Sequence, residues 1–484
     1  MKRNLLLWAV CAVMMAFTAC TQEKVVYVEG ENDMSSSMQL EGNVLKISLS
    51  NGLSRAVRPI YDNEATNNIN RIGFKFLAQD GTEVSGITIE QVTVSGSSNV
   101  TIKNETEKDD AEEAGEPVEG QNFYPDNIVK ISNSDYDTAA TLSIYLNMEA
   151  AKGQYIRIIA YGYNDEGSES FPETTISTSD DTYGERLLKL AGVTNENLPE
   201  YFAGYIDVAV NIYGLFDKSP EIVLERQVAG LLVYLEKIPA YVNREENTPV
   251  KVSYITVSAA KEITGLVIPA KAMKNRNSDD NYANGLSGET KSCELLRFDL
   301  RNAKINGLFY EFDNNESVGG TGSENKVLFA DEMAGIASQF SGKNFANHTL
   351  FGSCFILPFD HPTYSIDTST ALQINYLDES GSLIKSVQLH MQVEDGSSNS
   401  YSIWANHFYS IGTKNGNATD DSDGDGYPDN GDGDDEDPEN NPASGDDDPL
   451  DISDPSGTRI LTLKVNDVWE DVSLIRPTST GSSD

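Results

Sequence analysis

Apolar and polar side chains alternate along a long series of short segments in this chain. In the first segment, Leu45, Ile47 and Leu49 alternate with polar positions, and Gly52 ends the run. A period of two residues is typical of a strand with one buried and one exposed face. The same pattern predicts a first series of strands in VLKISLS from Val44, IGFKFLA from Ile72, ITIEQVTV from Ile87, ATLSIYL from Ala140 and YIRIIAYGY from Tyr155.

A second series of strand segments begins near Arg226. Its best members are QVAGLLVYLEKI from Gln227, VKVSYITV from Val250, RFDL from Arg297, LFYEFD from Leu308, SCFILPF from Ser353, ALQINYL from Ala371 and SVQLHMQV from Ser386. Turn residues separate the strands, and helical patterns are few, with one short helical patch predicted from Tyr183 to Leu190. The pattern therefore predicts a mainly all-β chain with two β-sandwich domains, residues 41–222 and 223–484.

The first twenty residues have the composition of a secretory signal rather than of a folded element. Lys2 and Arg3 precede an apolar run from Leu5 to Phe17, and two small residues stand directly before Cys20. The run is too short for a comfortable bilayer span, and the cysteine that follows it is typical of a lipoprotein signal. We therefore predict that residues 1–19 are a signal peptide and that Cys20 is lipidated, with palmitate-type chains holding the protein to a membrane. The alternative is a plain cleaved signal with an incidental cysteine.

The residues after the predicted lipid anchor bear on the membrane in which it is retained. Thr21 and the three residues that follow it lack the Asp that often keeps lipoproteins in the inner membrane. This favours the outer membrane, with a mostly polar tether over residues 20–40 and the folded part at the cell surface.

Composition narrows the classes of partner. The formal net charge is −41. We therefore do not expect the protein to bind nucleic acid or anionic lipid through a basic surface, and cations are its natural partners. After loss of the signal, Cys293 and Cys354 are the cysteines that remain besides the lipidated one. In an oxidising envelope they could form a disulfide, and the alternative is that both are buried thiols.

A segment near the C-terminus concentrates the negative charge. Residues 420–454 hold sixteen carboxylates and no Lys or Arg. Within them, DSDGDGYPDNGD has the spacing of a twelve-residue calcium loop, with a glycine at the sharp turn. The predicted structural calcium ligands are Asp421, Asp423, Asp425, the Tyr427 carbonyl, Asp429 and Asp432. The closing residue is Asp rather than Glu and no helices flank the loop, so the alternative is a solvated acidic linker extended by self-repulsion.

After the acidic segment the alternating pattern returns in residues 459–476, which we predict to form a terminal strand. Because a mobile acidic linker precedes it, we expect that this strand need not pair with other strands of its own domain. The insertion itself could be a metal-stiffened spacer.

The sequence contains no recognisable catalytic motif. His348, His361, His390 and His407 form no HExxH or HxH pair, and no GxSxG elbow occurs. His390 and His407 are expected to be structural. We therefore predict that the protein is not an enzyme.

Several of these stretches together resemble the fimbrillin-type subunits of the lipoprotein-derived (type V) pili of Gram-negative anaerobes, and the minor and anchor subunits in particular. The matching stretches are the lipobox, SRAVRP at Ser54, RQVAGLLVYLEKIP at Arg226, GSCFILP at Gly352 and ANHFYSIGTK at Ala405. The resemblance implies two transthyretin-like β-sandwiches in tandem. It also implies a structural or adhesive pilus subunit whose partners are other subunits, the outer membrane, and host or bacterial surface ligands.

In this family, subunits assemble by strand addition: an open sheet edge and apolar groove receive a strand from another chain. By the resemblance, Val44 to Leu49 would be the removable strand and Arg55 or Arg58 the protease-cleavage site. Leu461 to Ile475, with Trp469, would be the donor strand. An ordinary exposed turn is the alternative for SRAVRP. Anchor subunits keep their lipid and their first strand.

A different function class shares many of these features. A surface glycan-binding lipoprotein of a nutrient-uptake system would also have a lipobox, β-sandwiches and exposed aromatic side chains such as Trp404. A flat platform of exposed aromatics would favour the glycan binder. Burial of Trp404 and Trp469 beside a detachable C-terminal strand would favour the pilus subunit.

Overall fold

The computed structural model has a nearly all-β architecture. It describes residues 43–49, 69–95, 100–103, 124–133, 140–163, 171–195, 198–245, 248–259, 261–274, 282–287, 292–312, 327–329, 349–360, 372–391, 402–412, 449–453, 455 and 461–466. Within these ranges the regular elements are strands and three short 3₁₀ helices. The predicted all-β class is confirmed.

The strands of the first half are β1 Val44–Leu49, β2 Arg71–Ala78, β3 Thr88–Ser95, β4 Val100–Lys103, β5 Ile128–Asn133, β6 Ala140–Asn147, β7 Tyr155–Tyr163, β8 Thr174–Ile176, β9 Leu188–Ala191, β10 Phe202–Ala209, β11 Glu221–Val223 and β12 Glu225–Arg226. The 3₁₀ helices are Pro125–Asn127, Glu149–Ala151 and Ala270–Ala272.

The strands of the second half are β13 Ala229–Glu236, β14 Tyr241–Glu245, β15 Thr248–Lys251, β16 Tyr254–Ala259, β17 Ile263–Ile268, β18 Gly285–Ser287, β19 Cys293–Asp299, β20 Lys304–Asn306, β21 Phe309–Glu311, β22 Val327–Phe329, β23 Thr349–Ile356, β24 Leu372–Leu377, β25 Leu383–Met391, β26 Phe408–Ile411, β27 Leu450–Asp451 and β28 Leu461–Asn466.

Two sheets enclose the core of the N-terminal half. One has four strands in the order β11-β1-β6-β3, and the other has six in the order β12-β10-β7-β2-β5-β4. Alternate side chains from both sheets form one hydrophobic cluster, in which Leu45, Ile47, Phe74 and Ile158 are at most 1% exposed. Burial of one face of β1 and of β6 accounts for the alternation in their sequences, whereas β7 is buried on both faces from Ile156 to Tyr163.

Most of the C-terminal half belongs to one large sheet. Its order is β19-β16-β24-β25-β28-β26-β13-β23-β22, with β27 pairing at the end of β13. The central strands β13 and β23 are buried on both faces, and Leu231, Val233 and Leu350 are fully buried. This is why their sequences are continuous apolar runs rather than alternating ones.

A smaller sheet connects the two halves of the sequence. Its order is β18-β17-β9-β8, and β9 pairs antiparallel with β17, so that Leu190 lies opposite Leu266. The predicted domain boundary at residue 222 falls inside β11, and this sheet crosses it.

The predicted helical patch from Tyr183 to Leu190 is wrong. Gly184 has φ +113° and Arg186 has φ +56°, neither of which fits a right-handed helix. Leu188 begins β9 instead and pairs with Ile268 on one side and Ile176 on the other. Pairing with strands that are distant in the sequence determines the conformation of this segment, and the local pattern of apolar residues does not reveal such pairing.

Candidate functional site

The C-terminal strand β28 joins two sheet edges. Its first half runs parallel to β25, with Leu461 opposite Leu389 and Leu463 opposite Met391. Its second half runs antiparallel to β26, with Lys464 opposite Ser410. Each half of β28 is therefore paired on one side, and the strand crosses from one edge to the other.

The position of β28 divides the large sheet into two parts. On one side are β19, β16, β24 and β25, and on the other are β26, β13, β23, β22 and β27. The described ladders that bridge β25 and β26 are those of β28. Without this strand, the two parts would each present an unpaired edge, which is the geometry that receives an added strand.

The acidic segment leaves and re-enters the fold at neighbouring points. The β26 strand ends at Ile411, and a Cβ at Gly412 would lie 2.2 Å from the Tyr234 carbonyl oxygen and 2.8 Å from the Leu450 nitrogen. The chain returns as β27, where Leu450 pairs with Leu235. The backbone of Gly412, at φ +78°, therefore lies against both β13 and the returning chain.

Polar contacts hold the returning chain in place. Lys237 Nζ lies 2.9 Å from Asp451 Oδ2, and the Ser453 amide donates to Asp451 Oδ1 at 2.9 Å. Burial alone would raise the pKa of the Asp451 carboxyl, but the hydrogen bonds from Ser453 and Lys237 outweigh it and lower the pKa to about 2. Ile452, which is buried, donates its amide to the Glu236 carbonyl at 3.1 Å.

This anchoring changes the expectation for the terminal strand. The acidic segment is not the direct tether of β28, because β27 intervenes and is fixed to β13. In this structure the described part of the terminal strand, Leu461–Asn466, pairs with β25 and β26 of the same chain.

A buried ion pair forms the junction beside β26. Arg226 Nε donates to Glu200 Oε1 at 2.7 Å, and the two side chains are 2% and 1% exposed. Arg226 Nη1 donates to Asn406 Oδ1 at 3.3 Å, and its guanidinium carbon lies 5.3 Å from the centre of the Phe202 ring. Two stretches named in the resemblance, RQVAGLL and ANHFYSIG, therefore meet at this pair.

Gln227 extends the junction to the small connecting sheet. Its Oε1 accepts the Ala270 amide at 2.7 Å, and its Nε2 donates to the Glu225 carbonyl at 2.7 Å. Asn284 Nδ2 donates to the carbonyls of Gln227 and Val267 at 3.1 and 3.0 Å. The start of β13 is thus fixed by side-chain amides as well as by its own ladder.

The N-terminal strand β1 is held differently from β28. It pairs with β6 along its whole length, from Val44 opposite Tyr145 to Leu49 opposite Ala140. Residues Lys46 to Ser48 also pair parallel with β11 on the other side. With Leu45 and Ile47 fully buried, β1 is an integral part of the N-terminal core.

Several predicted site residues lie outside the described ranges. They are the lipidated Cys20, the cleavage candidates Arg55 and Arg58, the calcium ligands Asp421, Asp423, Asp425, Tyr427, Asp429 and Asp432, and Trp469. Among the residues that are described, no group of three or more His, Cys, Asp or Glu side chains is placed to hold a metal ion. In the same ranges, no helix is long and apolar enough to cross a membrane.

The two remaining cysteines are not joined. Cys293, on β19, and Cys354, on β23, are free thiols in the structure, contrary to the disulfide interpretation. Cys354 is 1% exposed and packs in the core as a small apolar side chain. Cys293 is half-buried, and Asn195 Nδ2 lies 3.7 Å from its sulfur.

Trp404 and His407 are structural residues in this fold. Trp404 is 7% exposed, and its amide donates to the Tyr409 hydroxyl at 2.7 Å. His407 is 3% exposed, with Nδ1 2.8 Å from the Ala405 carbonyl. Burial of Trp404 removes the exposed aromatic on which the glycan-platform alternative relied.

Comparison with known proteins gives remote structural similarity. No family model and no curated protein matches the chain. Solved structures do match. A candidate cell adhesion protein from Bacteroides uniformis is 10% identical, over 76% of this chain and 91% of its own, with a TM-score of 0.29. A fimbrial assembly protein from Parabacteroides distasonis is 10% identical, over 77% and 92%, with a TM-score of 0.27.

The fimbrial anchor protein Mfa2 from Porphyromonas gingivalis is also similar, at 11% identity over 76% of this chain and 89% of its own, with a TM-score of 0.24. These neighbours are bacterial adhesion and fimbrial proteins. They belong to the classes that the sequence resemblance names.

Two parts of the site were not predicted from the sequence. Glu200 lies in a segment without a strand pattern, and nothing in the sequence pairs it with Arg226, since 26 positions separate them. The short strand β27 was assigned to the acidic segment. It could have been identified from two apolar residues, Leu450 and Ile452, which flank Asp451 after a long polar run.

Proposed function

We propose that this chain is a structural or adhesive subunit of a cell-surface pilus, exported as a lipoprotein on Cys20 and joined to other subunits by β-strand addition, in an anchor or accessory position. The observation that carries the proposal is the placement of β28, which is paired on one side at each half and separates two sheet edges. A strand held in this way is the element of the fold best suited to exchange.

The length of chain between β27 and β28 sets the range of such an exchange. Eight positions separate Ser453 from Leu461, and an extended chain spans at most about 3.3–3.6 Å per residue, or roughly 25–30 Å. A released β28 therefore reaches a neighbouring subunit only if the two chains touch near β13. Strand addition on these terms is a contact between adjacent subunits rather than capture at a distance.

The proposed anchor or accessory position requires that the N-terminal strand β1 be kept. Cleavage at Arg55 or Arg58 would release β1, and its departure would remove Leu45 and Ile47, both fully buried, from the N-terminal core. A subunit that keeps β1 keeps this core closed and keeps its connection to Cys20.

A disulfide lock on β28 tests the proposal. Ser410 and Lys464 are directly opposed in the ladder between β26 and β28, so Ser410→Cys with Lys464→Cys would fix the strand to its own chain. We expect the oxidised variant to disappear from sheared surface fibres and to return after treatment with a reductant. A locked chain that enters fibres at the parental level would contradict strand addition through β28.

The matched control locks the other terminal strand. Lys46 and Ser143 are opposed in the ladder between β1 and β6, so Lys46→Cys with Ser143→Cys fixes β1 instead. An anchor or accessory subunit that retains β1 should be unaffected by this lock. Loss of the β1-locked variant from the fibres would contradict the proposed position and would indicate that β1 must leave.

Mass spectrometry of the N-terminus separates the positions directly. Acylated Cys20 at the N-terminus, in fibres as well as in outer membranes, is the expected result for an anchor or accessory subunit, whereas an N-terminus at Ala56 or Pro59 in sheared fibres would contradict it and identify a polymerising stalk subunit.

The acidic loop is proposed as a structural calcium site within the same protein, with carboxylates at Asp421 to Asp432 as ligands. Its spacing is the support, since calcium takes six to eight oxygens from a flexible loop. Calorimetric titration of the chelator-treated chain with CaCl₂ tests it. We expect saturable binding that Asp425→Asn weakens, and binding unchanged by that substitution would contradict the assignment.

A further inference from the structure

The loop that follows β10 ends in an exposed apolar tip. At the base of the loop, Val210 and Phe216 form an isolated β-bridge and are buried in the N-terminal core. Beyond them, the side chains of Ile212 and Tyr213 are 71% and 73% exposed, and that of Leu215 is 37% exposed. Large apolar side chains that are exposed together mark a contact with a protein or with a membrane.

The tip is a closed turn whose backbone polar groups are paired within the loop. The Asn211 side-chain oxygen accepts the amides of Tyr213 at 2.9 Å and of Leu215 at 3.1 Å. The Asn211 carbonyl accepts the Gly214 amide at 3.0 Å, and the Asn211 amide donates to the Leu215 carbonyl at 2.9 Å. Unpaired backbone groups are costly in lipid, where no water can solvate them. The tip can therefore leave water with these groups still paired.

The tip lies at the end of the N-terminal sandwich where the chain enters β1. The Asn43 carbonyl accepts the Leu146 amide at 3.0 Å, and two residues later the Met148 carbonyl carbon lies 3.6 Å from the position of a Cβ at Gly214. Tyr155, which begins β7 at the same end, is 47% exposed. Together with the tip, it makes four of the nine large apolar side chains that are exposed within the described ranges.

The residues before β1 connect this end of the fold to the predicted lipid anchor. Twenty-three positions separate Cys20 from Asn43, which allow a separation of at most roughly 75–85 Å. Acyl chains on Cys20 would therefore keep the fold near the bilayer without setting its height or its orientation. When two contacts are linked, the second becomes intramolecular and its effective concentration rises. Even a weak apolar contact at the tip would then be occupied.

The chemistry and size of the tip favour lipid over a protein or an anionic partner. Lys152, whose side chain lies against Gly214, is paired with Glu149, and the chain has a net charge of −41. The attraction is therefore apolar rather than electrostatic. A tyrosine such as Tyr213 suits the membrane interface, where its ring is buried and its hydroxyl stays hydrated. Three side chains on one turn are also too few for a stable protein interface, which buries about 800 Å² per partner.

We propose that Ile212, Tyr213 and Leu215 insert into the phospholipid surface of the membrane that holds the lipid of Cys20. This inference rests on the proposed lipidation of Cys20 and adds a second contact to it. The lipid keeps the protein at the membrane, and the tip holds this end of the N-terminal sandwich against the bilayer.

Quenching of tryptophan fluorescence by brominated lipid tests the insertion. Tyr213→Trp places a reporter in the tip, and Leu308→Trp is the matched control, since Leu308 is also 73% exposed but lies between β20 and β21. Each full mature chain is extracted from membranes and reconstituted in phosphatidylcholine vesicles with or without dibrominated phosphatidylcholine. The signal of the parental chain, which contains Trp404 and Trp469, is subtracted.

We expect most of the added fluorescence of Tyr213→Trp to be lost with the brominated lipid, and that of Leu308→Trp to be unchanged. Retained fluorescence of Tyr213→Trp, or equal quenching at the two positions, would overturn the proposal. Quenching should persist at high salt, because an apolar contact is not screened. Its loss at high salt would indicate electrostatic association and would also overturn apolar insertion.

A second substitution in the reporter chain locates the contact. Adding Ile212→Asp to Tyr213→Trp should abolish the quenching, because a carboxylate does not enter the hydrocarbon region readily. Adding Leu383→Asp, at a 53% exposed position on β25, should have no effect. Quenching that survives Ile212→Asp would overturn the assignment of the tip.

Mass spectrometry of the same samples separates this inference from the proposed function. Acylated Cys20 without quenching at Tyr213→Trp would overturn the insertion of the tip and leave the lipoprotein anchor in place. Unacylated Cys20 would contradict the lipoprotein export itself and would remove the basis of the inference.

Discussion

The two terminal strands of this fold are paired in different ways. β1 has a ladder with β6 along its full length and a second ladder with β11 over Lys46 to Ser48. β28 has a three-residue ladder with β25 over its first half and another with β26 over its second half. Unpaired backbone groups at a sheet edge are what another strand recognises. Under the strand addition proposed above, this difference makes β28, rather than β1, the strand that is expected to exchange.

The difference also shows how position along the chain relates to function. Each strand is preceded or followed by a segment rich in polar residues, so composition alone would treat them alike. β1 contributes fully buried Leu45 and Ile47, whereas β28 lies where two parts of a larger sheet meet. Each strand has two neighbours, so the two strands differ in the length of their ladders: six residues between β1 and β6, against three with each neighbour of β28.

The largest expected loss of stability comes from placing a charge on β1 at a position that is buried in the N-terminal core. Ile47→Asp should cost more than about 4 kcal/mol, because it removes a buried side chain and places a carboxylate in an apolar cluster. Removal of residues 457–484 should leave a cooperatively folded chain. Chemical denaturation measures both, with Leu383→Asp at a 53% exposed position as the control. A stable Ile47→Asp chain would contradict the distinction between the strands.

The next largest effect is expected at the ion pair beside β26. Arg226→Met leaves Glu200 buried without its partner and should cost about 3–5 kcal/mol. Adding Glu200→Leu should recover most of that loss, because a buried pair is often replaceable by apolar residues. Thermal unfolding of the single and double variants measures the coupling. A double variant as unstable as the single one would show that the carboxylate is not the source of the loss.

A smaller effect should separate steric crowding from backbone conformation next to β28. Gly412 and Gly381 have nearly the same positive φ, +78° and +77°, but a Cβ at Gly381 meets nothing within 4 Å. Gly381→Ala should cost about 1–2 kcal/mol from backbone strain alone. Gly412→Ala should cost more, because its Cβ meets the Tyr234 carbonyl, and it should increase proteolysis after residue 449. Equal costs at the two glycines would contradict the packing described here.

The smallest effect concerns the pH dependence of the β27 anchor. The folded pKa of Asp451 is lowered to about 2 from an ordinary value of 3.8. Its contribution is therefore present above pH 4 and is lost as the pH falls from about 4 to 2. Asp451→Asn should lower stability at pH 7 by about 1 kcal/mol, after allowance for solvent screening. Chemical denaturation at pH 7 and pH 2.5 measures the free energy of unfolding of both chains. We expect the two values to converge at pH 2.5, and a difference that stays constant between the two pH values would contradict the assignment.

The sequence predicted much of the strand framework and little of its connectivity. The segments at Val44 and Ala140 were predicted as strands because burial of one face imposes alternation on the sequence, whereas the segment at Tyr155 is an apolar run that is buried on both faces. VKVSYITV was predicted as one strand, but Val252 donates to Ala240 and Ser253 to Leu377, and these bonds divide it into β15 and β16. Such partners are distant in sequence and leave no local pattern.

The same reasoning explains which parts of the site were predicted. The terminal strand was found from its alternation, because Leu461 and Leu463 follow the period of two. The sequence did not show that β28 would pair with β25 and β26, because parallel and antiparallel pairing leave the same local pattern. The Arg226 and Glu200 pair was missed for a related reason, because charge in a sequence gives no indication of burial.

The most direct test of the exchangeable strand is amide hydrogen exchange of the intact mature chain, comparing β1 with β28. Opening of a segment independently of global unfolding appears as faster exchange of its amides. We predict that the amides of Leu461–Asn466 exchange through a local opening, while those of Val44–Leu49 exchange only with global unfolding. Equal protection of the two strands at the level of global unfolding would contradict the claim that β28 is the strand this protein can release.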